Sequence, residues 1–440
     1  MKKILFIFLL IGPYAFAQNN SSTNKTVGFN SEFTYKMHDQ NQDLRKINIL
    51  LDAKKKSTIK DHSLIIGTSL ISIFDYQHSN TDSKFAYLMR IPSANNQIGK
   101  DVSEVVIHSF QLSATAVVNS WLCTYAELLY NPEQSFGSGT ITALGRNQIQ
   151  LRKGFVLVGD LSRFPFYAAL GKMDAPFGQT GSVNPFTNSM MWHAFGGLSY
   201  GAQIGFQKGG LHAKFMAAQG GSQFRAMNTI VGDSTEVPSK INNYVIDLNY
   251  SFTPIENVNL LIGASYLRGT IYGQGFPISH FAPLEENNPA YTYYTTINIY
   301  NTLIIKGSFA KTTKVSQGTF NPTPPLDVFE ASKISSLELG AKYTLNQSDK
   351  LKYAISGEFS NFRSGPDGSP WERQNQIVLG FSMLFNNSFK FFFESFRTNG
   401  YTPFNFLTGS EDNAPFPAGT TPSIRDANSM GIVIGSQISF

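Results

Sequence analysis

The chain has 440 residues, a formal charge of +5, 15% charged and 13% aromatic residues, and a single cysteine, Cys123. One cysteine excludes an internal disulfide framework, the small net charge gives no footing for nucleic acid as a partner, and a mean hydropathy of −0.14 excludes a bundle of membrane helices. Few charges beside many aromatics favour a surface that meets lipid over a solvated globule.

The first residues, MKKILFIFLLIGPYAFAQ, combine Lys2 and Lys3, an apolar run from Ile4 to Ile11 and a small-residue site at Ala15-Phe16-Ala17. That pattern predicts an export signal over 1–17, removed before Gln18, because the apolar run is too short to span hydrocarbon. No cysteine follows it, so no lipid anchor is expected. Residues 18–61 read as a short periplasmic extension. In it Leu44, Ile47 and Leu51 have helical spacing, whereas a hairpin of TVGFNSEFTY and KINILLDA would add two strands. Forty-four residues are far fewer than the plug of a TonB-dependent receptor, which argues against energy-coupled transport of that type.

Beyond residue 61 the recurring unit is a segment of about ten residues with alternating polarity, bounded by turn residues, which is how a transmembrane β-barrel reads. Sixteen such segments are expected: 62–74, 104–118, 121–130, 147–161, 165–178, 199–208, 210–220, 242–252, 258–271, 294–301, 302–313, 335–345, 350–362, 374–385, 388–399 and 429–440. In 337–345 Leu337, Leu339, Ala341, Tyr343 and Leu345 oppose Glu338, Gly340, Lys342 and Thr344. Connections alternate between tight turns, such as Asn119-Ser120, Gly209 and Asn386-Asn387, and long Pro- or Gly-rich loops. An even count with that asymmetry predicts an antiparallel barrel of sixteen strands in the outer membrane of a Gram-negative cell, or eighteen with the N-terminal hairpin.

The last segment, MGIVIGSQISF, places Ile432, Ile434, Ile438 and Phe440 on one face, and no charge or proline blunts it as an edge strand. Closure onto the first strand would remove that edge. Its terminal Phe440 resembles the signal by which such barrels are recognised for assembly, which implies outer-membrane lipid and the barrel assembly machinery as partners.

Sixteen strands leave a water-filled lumen. The face opposite the apolar one carries Arg152, Lys172, Lys214, Lys306, Lys342, Lys352 and Lys390, with Glu127, Asp160, Asp174, Asp247, Glu338, Glu358 and Glu394. Seven of each sign predict weak ion selectivity unless the signs segregate on opposite walls.

Residues 166–190, FYAALGKMDAPFGQTGSVNPFTNSM, give the sharpest local motif. Gly171, Lys172, Pro176, Phe177 and Gly178, then Asn184-Pro185-Phe186, resemble a barrel strand and the third loop of bacterial porins, and most resemble the TonB-independent siderophore porins of the legiobactin-receptor type. The resemblance implies a third loop folded into the channel and a ferric siderophore as the small-molecule solute. An anionic iron chelate would call for Lys172, Arg225 and Arg268 near the strand tops. Phe276, Phe281, Tyr291, Phe404, Phe406 and Phe416 in the long loops could stack on such a ligand, although loop packing or lipid anchoring explains them better.

Gly197-Leu198-Ser199-Tyr200-Gly201 matches the G-x-S-x-G elbow in letters, but a strand follows where that motif needs a helix. His38, His62, His78, His108, His193, His212 and His280 show no metal-ligand spacing. Neither catalysis nor a cofactor is expected. Two functions remain open: a channel for passive or facilitated solute uptake, and a barrel whose loops serve adhesion with little conductance. Oligomeric state is not fixed by these features.

Overall fold

A strand with one apolar and one polar face needs both an apolar medium and a pairing partner on each edge. The computed structural model describes residues 26–39, 45–81, 100–130, 149–219, 241–273, 287–348, 350–402, 418–421 and 423–440. A three-residue strand, β1 (Thr26–Gly28), and two helices, α1 (Ser31–His38) and α2 (Lys46–Lys55), come first. The barrel strands follow: β2 (Ser63–Ser79), β3 (Asp101–Val117), β4 (Leu122–Tyr130), β5 (Ile149–Val158), β6 (Phe166–Asp174), β7 (Leu198–Lys208), β8 (Leu211–Gln219) and β9 (Ile241–Ile255). The second half comprises β10 (Val258–Leu267), β11 (Ala290–Ile299), β12 (Leu303–Thr312), β13 (Ser335–Ser348), β14 (Leu351–Arg363), β15 (Arg373–Phe385), β16 (Phe389–Tyr401) and β17 (Ile424–Ser439). A third helix, α3 (Met190–Phe195), lies between β6 and β7.

Strands β2 to β17 form one closed antiparallel barrel of sixteen strands. The seam joins β17 to β2 from Ser429↔Ser79 to Ser439↔Ser69. Beyond it the Thr68 and Phe440 backbones exchange N–H···O bonds of 2.7 and 2.8 Å. Where β17 stops, β1 runs parallel to β2 from Thr26↔Ser63 to Gly28↔Ile65, and the Phe29 ring lies 5.0 Å from that of Phe440. The terminal strand therefore leaves no open edge.

Turns at one end are tight: Gly209 and Gly210, and Asn386 and Asn387, all have positive φ, the conformation a two-residue hairpin demands. The outward face is apolar on strand after strand, with Phe74, Val156, Leu170, Ile204, Leu248, Ile262, Leu339, Ile355, Leu379 and Ile438 all exposed. Tyr244, Tyr266, Tyr291 and Tyr293 form an outward aromatic group near the long-loop end. Among the described residues no helix is long and apolar enough to cross a membrane.

All sixteen expected segments are strands, with two informative differences. Strand β6 ends at Asp174, so Pro176-Phe177-Gly178 begins the following loop and Gly178 takes a left-handed φ of 60°. The extension is neither a hairpin nor an external periplasmic element: α1 and α2 fold back to back inside the lumen from the short-turn end, with Met37, Leu50 and Leu51 at most 2% exposed. The reason lies in the wall, because β4, β5 and β6 carry Cys123, Tyr125, Phe155, Leu157, Tyr167 and Ala169 on their inner face and the extension's apolar residues cluster with them. Asn30 starts α1 by accepting the Phe33 N–H at 3.0 Å. Gly67 on β2 leaves room for this approach, since a Cβ there would sit 2.6 Å from Thr34 Oγ1.

A lysine at Leu379, which is 60% exposed near the middle of β15, is expected to cost about 2 to 4 kcal/mol in lipid. Urea unfolding from vesicles measures this; an indifferent Leu379→Lys would mean that the outer face meets water.

Candidate functional site: the lumen constriction

The connection between β6 and β7, residues 175–197, is the third long loop and lies inside the barrel against the wall from β10 to β16. Carboxylates on that wall hold it. Glu358 accepts from Ser182 Oγ at 2.8 Å and from the Val183 N–H at 3.0 Å. Glu394 accepts from the Phe186 and Thr187 N–H groups at 2.7 and 2.9 Å. Glu338 accepts from Ser189 Oγ at 2.9 Å and pairs with Lys306 at 2.8 Å. On the same wall Ser308 and Lys390 donate to the Gln179 and Pro185 carbonyls, and Phe186 stacks on Phe392 with ring centroids 5.1 Å apart. Gly340 lets the loop lie flat, because a Cβ there would come 2.7 Å from Val183. The third loop therefore folds into the channel, as the motif at 166–190 implies.

The N-terminal extension supplies the other side. Lys46 lies in the lumen with its Nζ 2.5 Å from Glu127 Oε2 and donates to the Met37 carbonyl. Glu127 also accepts from Tyr125 OH at 2.7 Å and Gln111 Nε2 at 3.0 Å, and Arg152 stands 3.5 Å away. Burial lowers Lys46 to about 8 despite the Glu127 charge, and drives His38 down to about 3, so that imidazole is neutral. Arg45 donates to the Phe177 and Gly178 carbonyls at 3.1 and 2.9 Å, so the Pro-Phe-Gly motif is where extension and loop are tied together.

Between them lies a cavity of about 80 Å³ lined by Lys36, His38, Asp39, Arg45, Lys46 and Ile49 of the extension. Arg152, Lys153, Asp174, Thr180 and Trp192 line it from the wall and loop. Lys153 pairs with Asp174 at 2.7 Å. Reading Ile149, Leu151, Lys153, Phe155 and Leu157 as one outward face places Arg152 inside and Lys153 outside, but the ladder skips Arg152 between Glu127↔Lys153 and Leu128↔Leu151, so the parity reverses there and Lys153 joins the inner Phe155 and Leu157. This bulge at Arg152 brings both side chains to the cavity.

The expected pore-lining residues separate into groups. Lys214 and Asp247 pair at 2.8 Å, and Asp247 also accepts from Ser265 Oγ and Tyr294 OH. Lys342 and Lys352 face inward toward the short-turn end, where Lys352 donates to Asn387 at 3.0 Å. Lys390 meets Asp39 at 3.7 Å as well as the loop. Asp160 lies outside this set: β5 ends at Val158, and the carboxylate caps the next turn by accepting the Ser162 N–H at 3.0 Å. Lys172 does not line the cavity either. It is fully buried at 1% exposure, beside the positive-φ Gly171, with its Nζ 3.5 Å from the Leu151 carbonyl and 5.4 Å from the ring of Tyr200, its partner on β7.

Of the expected ligand contacts, Arg268 is exposed with its guanidinium 5.8 Å from the outward Tyr244 ring, and Tyr291 faces outward beside Tyr293. Both belong to the outer aromatic group, because their strand parity turns them from the lumen. Arg225, Phe276, Phe281, Phe404, Phe406, Phe416 and the leader lie outside the described residues. Ser199 is the second residue of β7, so its G-x-S-x-G setting lacks the strand–turn–helix elbow. His212 is a lumen residue, its Nε2 2.9 Å from Tyr167 OH. Among the described residues no group of three or more His, Cys, Asp or Glu is placed to hold a metal ion.

Glu394→Ala leaves two buried loop N–H groups without their acceptor and is expected to cost about 2 to 4 kcal/mol. Limited proteolysis within 175–197 should report the loosened loop. Lys46→Met is expected to cost about 3 kcal/mol, since Glu127 keeps three partners but loses its closest cation. Denaturant midpoints in detergent check this second value.

No family model matches the chain. A curated relative, the UPF0422 protein of Coxiella burnetii, is 25% identical over 192 residues, which is 43% of this chain and 36% of that protein. The chain thus matches about a third of the relative's length. Among solved structures, an anion-selective porin from Comamonas acidovorans is 12% identical with a TM-score of 0.50, covering 86% of this chain and 99% of that one. The outer-membrane channel DcaP of Acinetobacter baumannii is 10% identical with a TM-score of 0.48, covering 87% and 99%. OprB of Pseudomonas putida is likewise 10% identical with a TM-score of 0.48, covering 90% and 96%. At this identity the Comamonas likeness establishes a shared barrel fold.

Proposed function

We propose that this protein is an outer-membrane channel through which small hydrophilic solutes pass passively. The reading rests on the contrast between the two faces of one closed sheet: apolar side chains outside, and a charged interior narrowed by a loop and an N-terminal segment that are held to it by hydrogen bonds. A solid β-protein would have no use for inward lysines and carboxylates along most of its strands. A bilayer-embedded sixteen-stranded barrel uses them to line or partition water. The resident partner is then outer-membrane lipid, and the terminal strand ending in Phe440 suits recognition by the barrel assembly machinery.

Purified protein in planar bilayers is expected to give stable unit conductance steps, and deletion of residues 26–60 is expected to enlarge them. A folded barrel that never conducts would instead favour the adhesion reading, with the long loops as the working parts.

A narrower version, uptake of a ferric siderophore, is favoured by the residues from Gly171 to Phe186. A cavity of about 80 Å³ is smaller than an iron chelate, so a chelate held at this place would displace the extension or the third loop. The narrower version therefore predicts that deleting the gene slows growth under iron restriction and that the purified protein retains a labelled chelate. Failure of both with conductance intact leaves a general solute channel.

A further inference from the structure

We propose that the space between the N-terminal helices and the third loop is an anion site that selects small oxyanions, carboxylates and phosphate, for passage; this rests on the channel reading. The first observation concerns where the negative charge goes. Seven cations and seven carboxylates look balanced along the sequence, but Glu338, Glu358 and Glu394 are at most 3% exposed and point into the backbone or hydroxyl groups of the third loop. Asp247 is likewise enclosed by Lys214, Ser265 and Tyr294. The loop has covered the acidic wall.

Left facing the cavity are Lys36, Arg45, Lys46, Arg152 and Lys153 against Asp39 and Asp174. With the charged groups that touch them, Glu32, Glu127 and Lys390, the described cations outnumber carboxylates six to four. Low-dielectric walls focus such an excess on whatever occupies the gap.

A second, independent observation points to a ligand. His38 lines the cavity at 1% exposure with neither ring nitrogen hydrogen-bonded, and the Nε of Arg152 is buried without an acceptor. Buried polar nitrogens are ordinarily satisfied. An oxyanion between them would accept from the Arg152 guanidinium, whose planar fork suits carboxylate and phosphate, and from one imidazole N–H. The small volume limits the occupant to a few heavy atoms, and the Trp192 ring at its border suits a short organic acid as well as an inorganic ion.

The test is the reversal potential of the full-length protein in a planar bilayer under a KCl gradient, followed by addition of succinate or phosphate. Chloride preference, with chloride current reduced by either oxyanion, is expected. Arg152→Gln and Lys153→Gln should each lower the chloride-to-potassium ratio at least about twofold, while Lys208→Gln at an exposed turn leaves it unchanged. Heat-shifted mobility on gels confirms that each variant is folded. A reversal potential at zero or on the potassium side overturns the anion site while leaving the channel standing. Chloride preference that survives both cavity variants in folded protein overturns its placement here, and the absence of any conductance overturns the channel reading itself.

Discussion

Hydrocarbon offers no hydrogen bonds, and the rest of this structure follows from that. Every backbone N–H and C=O in the spanning region must find its partner in the sheet, so the sheet must close. The join between β17 and β2 accomplishes this down to Phe440, and β1 continues along β2 where the terminal strand ends. Closure with apolar residues outside leaves the interior as the only place for charged side chains. An interior charge there must be paired, hydrogen-bonded or wet.

The protein satisfies many of these charges with its own chain. Glu358 and Glu394 take backbone N–H groups of the third loop, and Glu127 takes Lys46 from the extension. Such buried groups are poor evidence for net stability, because desolvation offsets much of their attraction. They are better understood as fixing position. An apolar loop could slide along the wall, whereas two N–H groups aimed at one carboxylate admit a single register.

Period-two alternation exposed the barrel to sequence reading because lipid enforces it on every strand. The long run in β13 and the uncharged final stretch from Met430 to Phe440 were therefore legible, and so was the third loop, through Pro176-Phe177-Gly178 and Asn184-Pro185-Phe186. Alternation fails where the backbone departs from the pleat. The bulge at Arg152 hid Lys153, and the end of β5 at Val158 removed Asp160 from the lumen. Helices α1 and α2 were half legible: Ile47 and Leu51 carried the period, but nothing local said which side of the wall they occupy. The available signal lay elsewhere, in Tyr125, Phe155, Leu157 and Tyr167, apolar inner-face residues that required an interior cover.

The two lumen elements are not independent constrictions. Arg45 of the extension holds the Phe177 and Gly178 carbonyls of the loop, and Lys390 reaches both Asp39 of the extension and the Pro185 carbonyl of the loop. Moving either element alone would take the half-buried Arg45 guanidinium from its two carbonyl acceptors and leave the buried Lys390 ammonium with one of its two partners, a larger penalty than a neutral hydrogen bond lost at a surface. Extension and loop therefore behave as one internal unit facing the wall of β5 and β6. The width available to a solute is set by that unit as a whole, and the bulge at Arg152 is the point where the wall projects charge toward it.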